Sequence, residues 1–168
     1  LEQIIDKSDY ILCATSAKFA LSIAEQAARF TGPGKNYSDL NSASPMVKRA
    51  IAEVIESTGA LFTDAAVMEI VPPNRHKVPI AASGSGAAAF TEALNSIGMN
   101  VTFISDKAGS SSSMKMFRSI FVKGVTALLL ETLIASYEMG VEKEVMESIS
   151  GTFTKNTLEK MANLLINR

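Results

Sequence analysis

Lys115 stands where the serines Ser110, Ser111, Ser112 and Ser113 run into a strongly apolar stretch. An amine placed there has two uses: neutral, it accepts a proton from a hydroxyl; charged, it returns one or pairs with an anion. On a helix over 114–139, Lys115, Ser119, Val122, Thr126 and Leu133 share one stripe, flanked by Arg118 and Lys123. The stripe begins polar and becomes apolar, which predicts one end at a wet cleft and the other buried against helices. Free amides of the first turn, with serine hydroxyls beside them, would form an anion site close to Lys115. A plainer reading is open on the same spacing, and spacing alone favours it. In that reading the three cations are a solvated face and the serines a flexible linker.

A second constellation looks like a dinucleotide fingerprint. A strand over 78–83 leads into Gly84-Ser85-Gly86-Ala87-Ala88-Ala89, a G-x-G-x-x-A that opens a helix, and the next strand ends at Asp106. In such a turn the glycines admit a pyrophosphate and the acid takes ribose hydroxyls. That turn normally follows the first strand of its fold, and here at least three strands precede it. Close packing of a helix on its strand is the competing reason for small residues, and it is the reading we expect to hold.

The chain has 168 residues and a net charge of −1, with 47% apolar and 20% charged residues. A compact fold of this mass would remove roughly 18,000 Å² from water, enough for a real core. The near-zero charge favours no polyanion, so no nucleic-acid partner is expected. One cysteine (Cys13) and one histidine (His76) exclude an internal disulfide and give too few ligands for a structural zinc. Cys13 in a buried strand reads as core packing, and His76 in its polar loop as a surface residue. Lys115, Arg118, Lys123 and Glu131 interrupt the longest apolar run, so no membrane span is expected. The N-terminus is not a signal peptide, and the whole is consistent with a cytoplasmic protein.

Strand and helix alternate up to residue 106. Strands are expected at 10–14, 37–40, within 61–71, at 78–83 and at 101–105. Helices are expected at 16–30, from Ser44 (N-cap) and Pro45 to about 57, and at 87–97. This pattern predicts an α/β fold with a parallel sheet. After Asp106 come one long helix, 114–139, then helices at 141–149 and about 156–166. The domains are therefore read as 1–107 and 108–168, an α/β piece followed by an all-α piece.

The sequence resembles the β-hydroxyacid dehydrogenase superfamily, which includes 6-phosphogluconate and 3-hydroxyisobutyrate dehydrogenases. It is most similar to a phosphogluconate dehydrogenase-like branch with a poorly characterised C-terminal domain. The family's G-x-G-x-x-x-K-x-x-x-N helix start corresponds to Gly109 through Ser119, its D-x-S-T-x-x-P segment to Asp39 through Pro45, and its D-A-P-V-S-G stretch to Asp64 through Glu69. Residues 67–84 and 123–128 look like the branch's own signatures. The resemblance covers most of the chain. It implies a partial doubly wound, Rossmann-type sheet followed by a helical domain opening with one long helix.

By that resemblance Lys115 is the catalytic lysine. Asn41, Met68, Ser111 and Ser119 are implied at the substrate, with Ala14, Thr15, Ser16 and Ser42 beside an NAD or NADP cofactor. Three residues depart from the family pattern: Ser119 stands for an asparagine, Ser111 for a glycine and Met68 for a serine. The implied activity is hydride transfer between the nicotinamide and a small hydroxyacid, phosphorylated and sugar acids included. Oxidising an alcohol requires loss of the hydroxyl proton, which a neutral lysine accepts. Desolvation and nearby Arg118 or Lys123 would lower its pKa from about 10.4. Aspartate is a poorer base near neutrality, so Asp39 and Asp64 read as structural, capping or turn residues. The alternatives are a non-catalytic dimerisation or ligand-binding module of the same fold, or an imine reductase; the latter departs at the lysine position that this chain retains.

The resemblance also implies that the sequence is a piece of a longer protein. The family's glycine motif and first three strands would precede residue 1, and most of the helical domain would follow Arg168. Alone, the chain is expected to bind a dinucleotide weakly or not at all. Leu128, Leu129, Leu130, Leu133 and Ile134 surround much of the long helix, so a twofold copy of the chain is expected to cover it. The other expected partner is a small anionic substrate.

Overall fold

The computed structural model describes residues 1–155, 158, 160 and 162. Contacts gather the chain into two compact units, Leu1–Ser119 and Ile120–Arg168. The first holds helix α1 (Glu2–Asp6), strand β1 (Tyr10–Cys13), α2 (Ala20–Ala28), β2 (Asn36–Asp39), α3 (Pro45–Glu56), β3 (Leu61–Val67), the short α4 (Val71–Asn74), β4 (Pro79–Ser83), α5 (Ala87–Ser96), β5 (Asn100–Ser105) and the start of α6 (Ser110–Glu138).

The five strands form one sheet in chain order. β1, β2 and β3 are mutually parallel, and β4 is parallel to β5, but β4 runs antiparallel to β3. The sheet is thus mixed, where the alternation of elements predicted a parallel one. The connection 68–78 explains the difference. Pro72 and Pro73 limit it to α4 and a 3₁₀ turn, so it contains no full crossover helix and β4 returns beside β3 in the opposite sense.

Alternation along the strands gives the sheet two buried faces. Ile11, Cys13, Tyr37 and Phe62 pack with Ala20, Ala24 and Ala27 of α2 and Ile51, Ala52 and Ile55 of α3. Ala65, Ile80, Ala82 and Val101 pack with Phe90 and Leu94 of α5. α3 begins as its sequence predicts: Pro45 is in the first turn, and the Val47 N–H donates to Ser44 Oγ at 3.3 Å.

The Gly84–Gly86 turn is closed by its own packing. A Cβ at Gly84 would stand 2.6 Å from the Phe62 carbonyl oxygen, and one at Gly86 would stand 2.6 Å from Asn36 Nδ2. The turn's amides are also engaged, with Gly84 N–H donating to Ser105 O at 3.1 Å and Gly86 N–H to Phe62 O at 2.8 Å. Its small residues serve close packing, and its two glycine amides are already engaged within the protein. His76 is exposed and Cys13 is buried in the core, as their sequence contexts suggest.

α6 begins at Ser110, four residues before the predicted start, so the serines form its first turn rather than a flexible linker. By length and composition alone α6 is long and apolar enough to cross a membrane. Lys115 and Arg118 lie in its first turns, leaving mainly Lys123 and Glu131 along the apolar stretch.

In the second unit, the end of α6 closes with Val141 N–H donating to Ser136 O at 3.0 Å and Gly140 N–H to Tyr137 O at 3.1 Å, a Schellman turn with Gly140 at φ 68°. α7 (Glu142–Lys155) follows as one helix, six residues past the end expected at 149. The helix expected at 156–166 lies outside the described residues. Leu128, Leu130 and Ile134 are 65%, 58% and 55% exposed. The Lys115 stripe, predicted to become buried further along, instead keeps Val122 and Thr126 exposed.

Candidate active site

The sheet register places Cys13 beside Asp39, Asp39 beside Asp64, and Asp64 beside Ser83. Neighbours in register point to the same face, so two carboxylates project side by side from the middle of a buried sheet. Two ions of like sign cannot share a dry site without a counter-charge. Lys48 of α3 supplies it. Its Nζ lies 2.7 Å from Asp39 Oδ2 and 3.2 Å from Asp64 Oδ1, and it donates to the Asp39 carbonyl at 2.6 Å. All three side chains are fully buried.

Asp64 also holds the start of α6. Its Oδ2 accepts the Ser112 N–H at 2.9 Å and its Oδ1 accepts the Ser112 hydroxyl at 2.7 Å, while Ser83 Oγ accepts the Ser111 N–H at 2.9 Å. The helix N-terminus is therefore already occupied by a carboxylate of the protein itself. The anion site predicted at the first turn beside Lys115 is filled from within. Ser111 lies fully buried beneath that turn, its hydroxyl without a hydrogen-bond partner.

One turn beyond this anchor, Lys115 emerges half-buried, and its Nζ donates to Ser42 Oγ at 3.0 Å. Ser42 is exposed in the segment after β2. Burial holds the Lys115 amine below the ordinary lysine value of 10.5; the Lys48 charge pushes the same way and Asp64 opposes it. Arg118 and Lys123, the neighbours expected to lower it, are not the causes.

Asn41 ties the ends of the first two strands together. Its Oδ1 accepts the Thr15 N–H at 2.9 Å, and its Nδ2 donates to Asp39 Oδ1 at 2.5 Å with Cys13 Sγ 3.5 Å away. Its amide is taken up by the protein, so Asn41 orients the loop 14–16 from below. Ala14, Thr15 and Ser16 are exposed in that loop, past the carboxyl end of β1. Met68 is half-buried just past β3, its N–H donating to Pro79 O at 2.8 Å. Ser119 is half-buried one turn along the Lys115 stripe. The structure thus joins Lys115 to Ser42 and Asn41 to Thr15, while no hydrogen bond ties Met68 or Ser119 to them.

Lys48 and Ser83 were not singled out by sequence, and Ser112 only as one of the serine run. For Lys48 a signal exists: it falls on the buried stripe Pro45, Lys48, Ile51, Ala52, Ile55 of an amphipathic helix. A lysine there requires a buried anion. Among the described residues no group of three or more metal-ligating side chains occurs.

No protein-family model matches the chain. An uncharacterised 28.5 kDa protein of Methanothermus fervidus is 26% identical over 158 residues, 94% of this chain and 60% of that protein. Two solved structures are each 33% identical, with a TM-score of 0.84 over 96% of this chain. One is a conserved hypothetical protein of Sinorhizobium meliloti, of which 54% is covered. The other is a conserved protein of unknown function described as structurally similar to 3-hydroxyacid dehydrogenases, of which 60% is covered. The chain thus spans little more than half the length of these relatives. At lower identity the fold alone is shared with Mycobacterium tuberculosis 3-hydroxyisobutyrate dehydrogenase (13%, TM-score 0.79, 92% of this chain and 54% of that one). It is shared likewise with an imine reductase from Pseudomonas (17%, TM-score 0.74, 99% and 60%).

The Rossmann-like α/β piece running into a long helix is thus a fold shared with a 3-hydroxyisobutyrate dehydrogenase and an imine reductase. The chain has the architecture of the β-hydroxyacid dehydrogenase-like superfamily.

Proposed function

We propose that the chain is part of a nicotinamide-dependent dehydrogenase of small hydroxyacids, with Lys115 as the general acid/base. In this reading residues 1–107 are the second half of a nucleotide-binding domain and 108–168 the beginning of a helical domain that pairs with a second copy. The observation that carries it is the Lys115–Ser42 hydrogen bond: a half-dehydrated amine, its pKa lowered, held beside the carboxyl ends of β1 and β2. Ligands of open α/β sheets bind at those ends.

The residues present fit one end of a dinucleotide. Ala14, Thr15, Ser16 and Ser42 form an exposed edge able to border a nicotinamide, which when bound supplies the hydride acceptor or donor. In this reading the phosphate end is not held by the Gly84 turn, whose two glycine amides are engaged. Lys115 in its neutral form takes the substrate hydroxyl proton, and in the reductive direction its ammonium form returns it. Ser42 holds the amine in place. In this reading Met68 and Ser119 border the substrate, and with methionine and serine there the pocket would differ from one built to grip a carboxylate with serine and asparagine.

Hydride transfer assayed on a full-length relative with a panel of small hydroxyacids and both nicotinamide cofactors tests the reading, with the lysine replaced by methionine. Turnover that falls by about 10²–10⁴-fold supports it. Undiminished turnover, or activity on imines alone, overturns it.

A further inference from the structure

A second concavity lies beside the start of α6, on a different stripe from Lys115. Ser110, Ser113, Met114 and Phe117 recur at i, i+3, i+4 and i+7 and share one side of the helix, with Arg118 at its edge; Lys115 and Ser119 fall on another. This outer side, the connection Lys107–Gly109 and Arg49 of α3 border an open groove of about 800 Å³. Three cations therefore reach one groove from three elements: Arg49, Lys107 and Arg118. Both ion pairs found among the described residues belong to Lys48, so none of the three has a carboxylate partner there.

The connection is shaped to bring them together. Gly109 takes a φ of 88°, and a Cβ there would stand 3.0 Å from the Pro45 carbonyl oxygen and 3.5 Å from Arg49 Cγ. The close approach sets Gly109 against the first turn of α3, two residues from Lys107. The lower wall is apolar, made by Ala108, Met114 and Phe117. Like charges repel, and gathering three round an apolar floor has a cost that an anion between them removes. Guanidinium groups match the paired oxygens of phosphate and carboxylate, and an aromatic or aliphatic body matches the floor.

We propose that this groove binds a small organic anion, a phosphate or carboxylate carried on an apolar or aromatic body. The site uses none of the residues placed at the hydroxyacid reaction, so it stands or falls separately from that reading.

The test is calorimetric titration of the 168-residue chain with phenyl phosphate, phenylacetate, inorganic phosphate and phenol. Phenyl phosphate or phenylacetate is expected to saturate with a dissociation constant below about 1 mM, with inorganic phosphate weaker and phenol silent. Which of the two anions binds more tightly identifies the head group. Arg49→Ala and Arg118→Ala are each expected to weaken binding by about tenfold, Lys107→Gln less, and Lys115→Met not at all. The Arg and Lys side chains are exposed, and an unchanged thermal midpoint confirms that the variants fold. No saturable binding of either anion, equal binding of phenol, indifference to both arginine variants, or loss of binding in Lys115→Met would each overturn the assignment.

Discussion

Asp64 accepts both the backbone N–H and the hydroxyl of Ser112, at 2.9 and 2.7 Å, and so fixes the start of α6 onto the middle of β3. The same carboxylate pairs with Lys48, which also neutralises Asp39. One buried cation thus serves two anions, and the helix start supplies the remaining positive potential. The asymmetry predicts unequal variants. Lys48→Met leaves two buried carboxylates uncompensated and should cost about 3–5 kcal/mol. Asp64→Asn leaves a one-to-one Asp39–Lys48 pair and keeps an acceptor for the Ser112 N–H, so its loss should be nearer 1 kcal/mol. Urea midpoints compare them directly; equal losses would show that the helix start requires the charge itself.

Lys115 carries the pH prediction. Its pKa lies below 10.5 in the folded protein, chiefly through burial. A base must be neutral, so oxidation in the full-length enzyme should rise with pH to a plateau whose inflection falls below that value; reduction should show the opposite limb. The linkage has a definite sign. Between the lowered folded pKa and the unfolded one the unfolded chain binds more protons, so Lys115 makes stability increase with pH across that window. In Lys115→Met both the kinetic limb and this increment should vanish. A pH profile with the same inflection after the substitution assigns the proton to another group.

Much of this framework was legible in the sequence, because strands and helices here obey strong local signals. Ser44–Pro45 marks the start of α3, and Gly84 through Ala89 marks a strand-to-helix turn whose closeness needs small residues. What local signals do not contain is strand direction and pairing. The reversal of β4 depends on what the connection 68–78 has no room to build, and the first turn of α6 depends on a carboxylate nearly fifty residues upstream. Lys115 was readable as a residue of interest, but the cause of its lowered pKa was not. Lys48 is close to it only because α3 and α6 meet at Asp64. Asn41 shows the limit from the other side: its type suits a ligand contact, yet its amide is consumed by Thr15 and Asp39.

The Gly86–Asn36 contact predicts a stability effect unrelated to nucleotides. Asn36 Nδ2 donates to the Gly86 carbonyl at 2.9 Å, and its Oδ1 accepts from Thr63 at 3.0 Å and Ser38 at 3.3 Å. A methyl at residue 86 would press on that amide, so Gly86→Ala should destabilise by about 1–3 kcal/mol. Because the turn's glycine amides are engaged and its small residues are packed, NADH titrated into the 168-residue chain should bind with a dissociation constant no tighter than about 1 mM. Micromolar binding that is lost in Gly86→Ala, at a temperature where the variant is folded, would restore the dinucleotide role to this turn.

The exposed side of α6 yields the last prediction. Leu128, Leu130 and Ile134 lie exposed on a helix that the described residues leave largely uncovered, and exposed apolar side chains of that kind favour association in water. We expect the chain to self-associate through it, a twofold copy being the simplest arrangement that covers identical surfaces with one another. Light scattering across a concentration series should show a dimer, and Leu130→Glu should shift it towards monomer, since a carboxylate in such an interface has no partner. The length and composition of α6 allow one rival outcome, insertion into lipid. Flotation with neutral phosphatidylcholine vesicles separates the two: a dimer that stays with the aqueous fraction supports self-association. A chain that floats with the vesicles, or stays strictly monomeric at high concentration, refutes it.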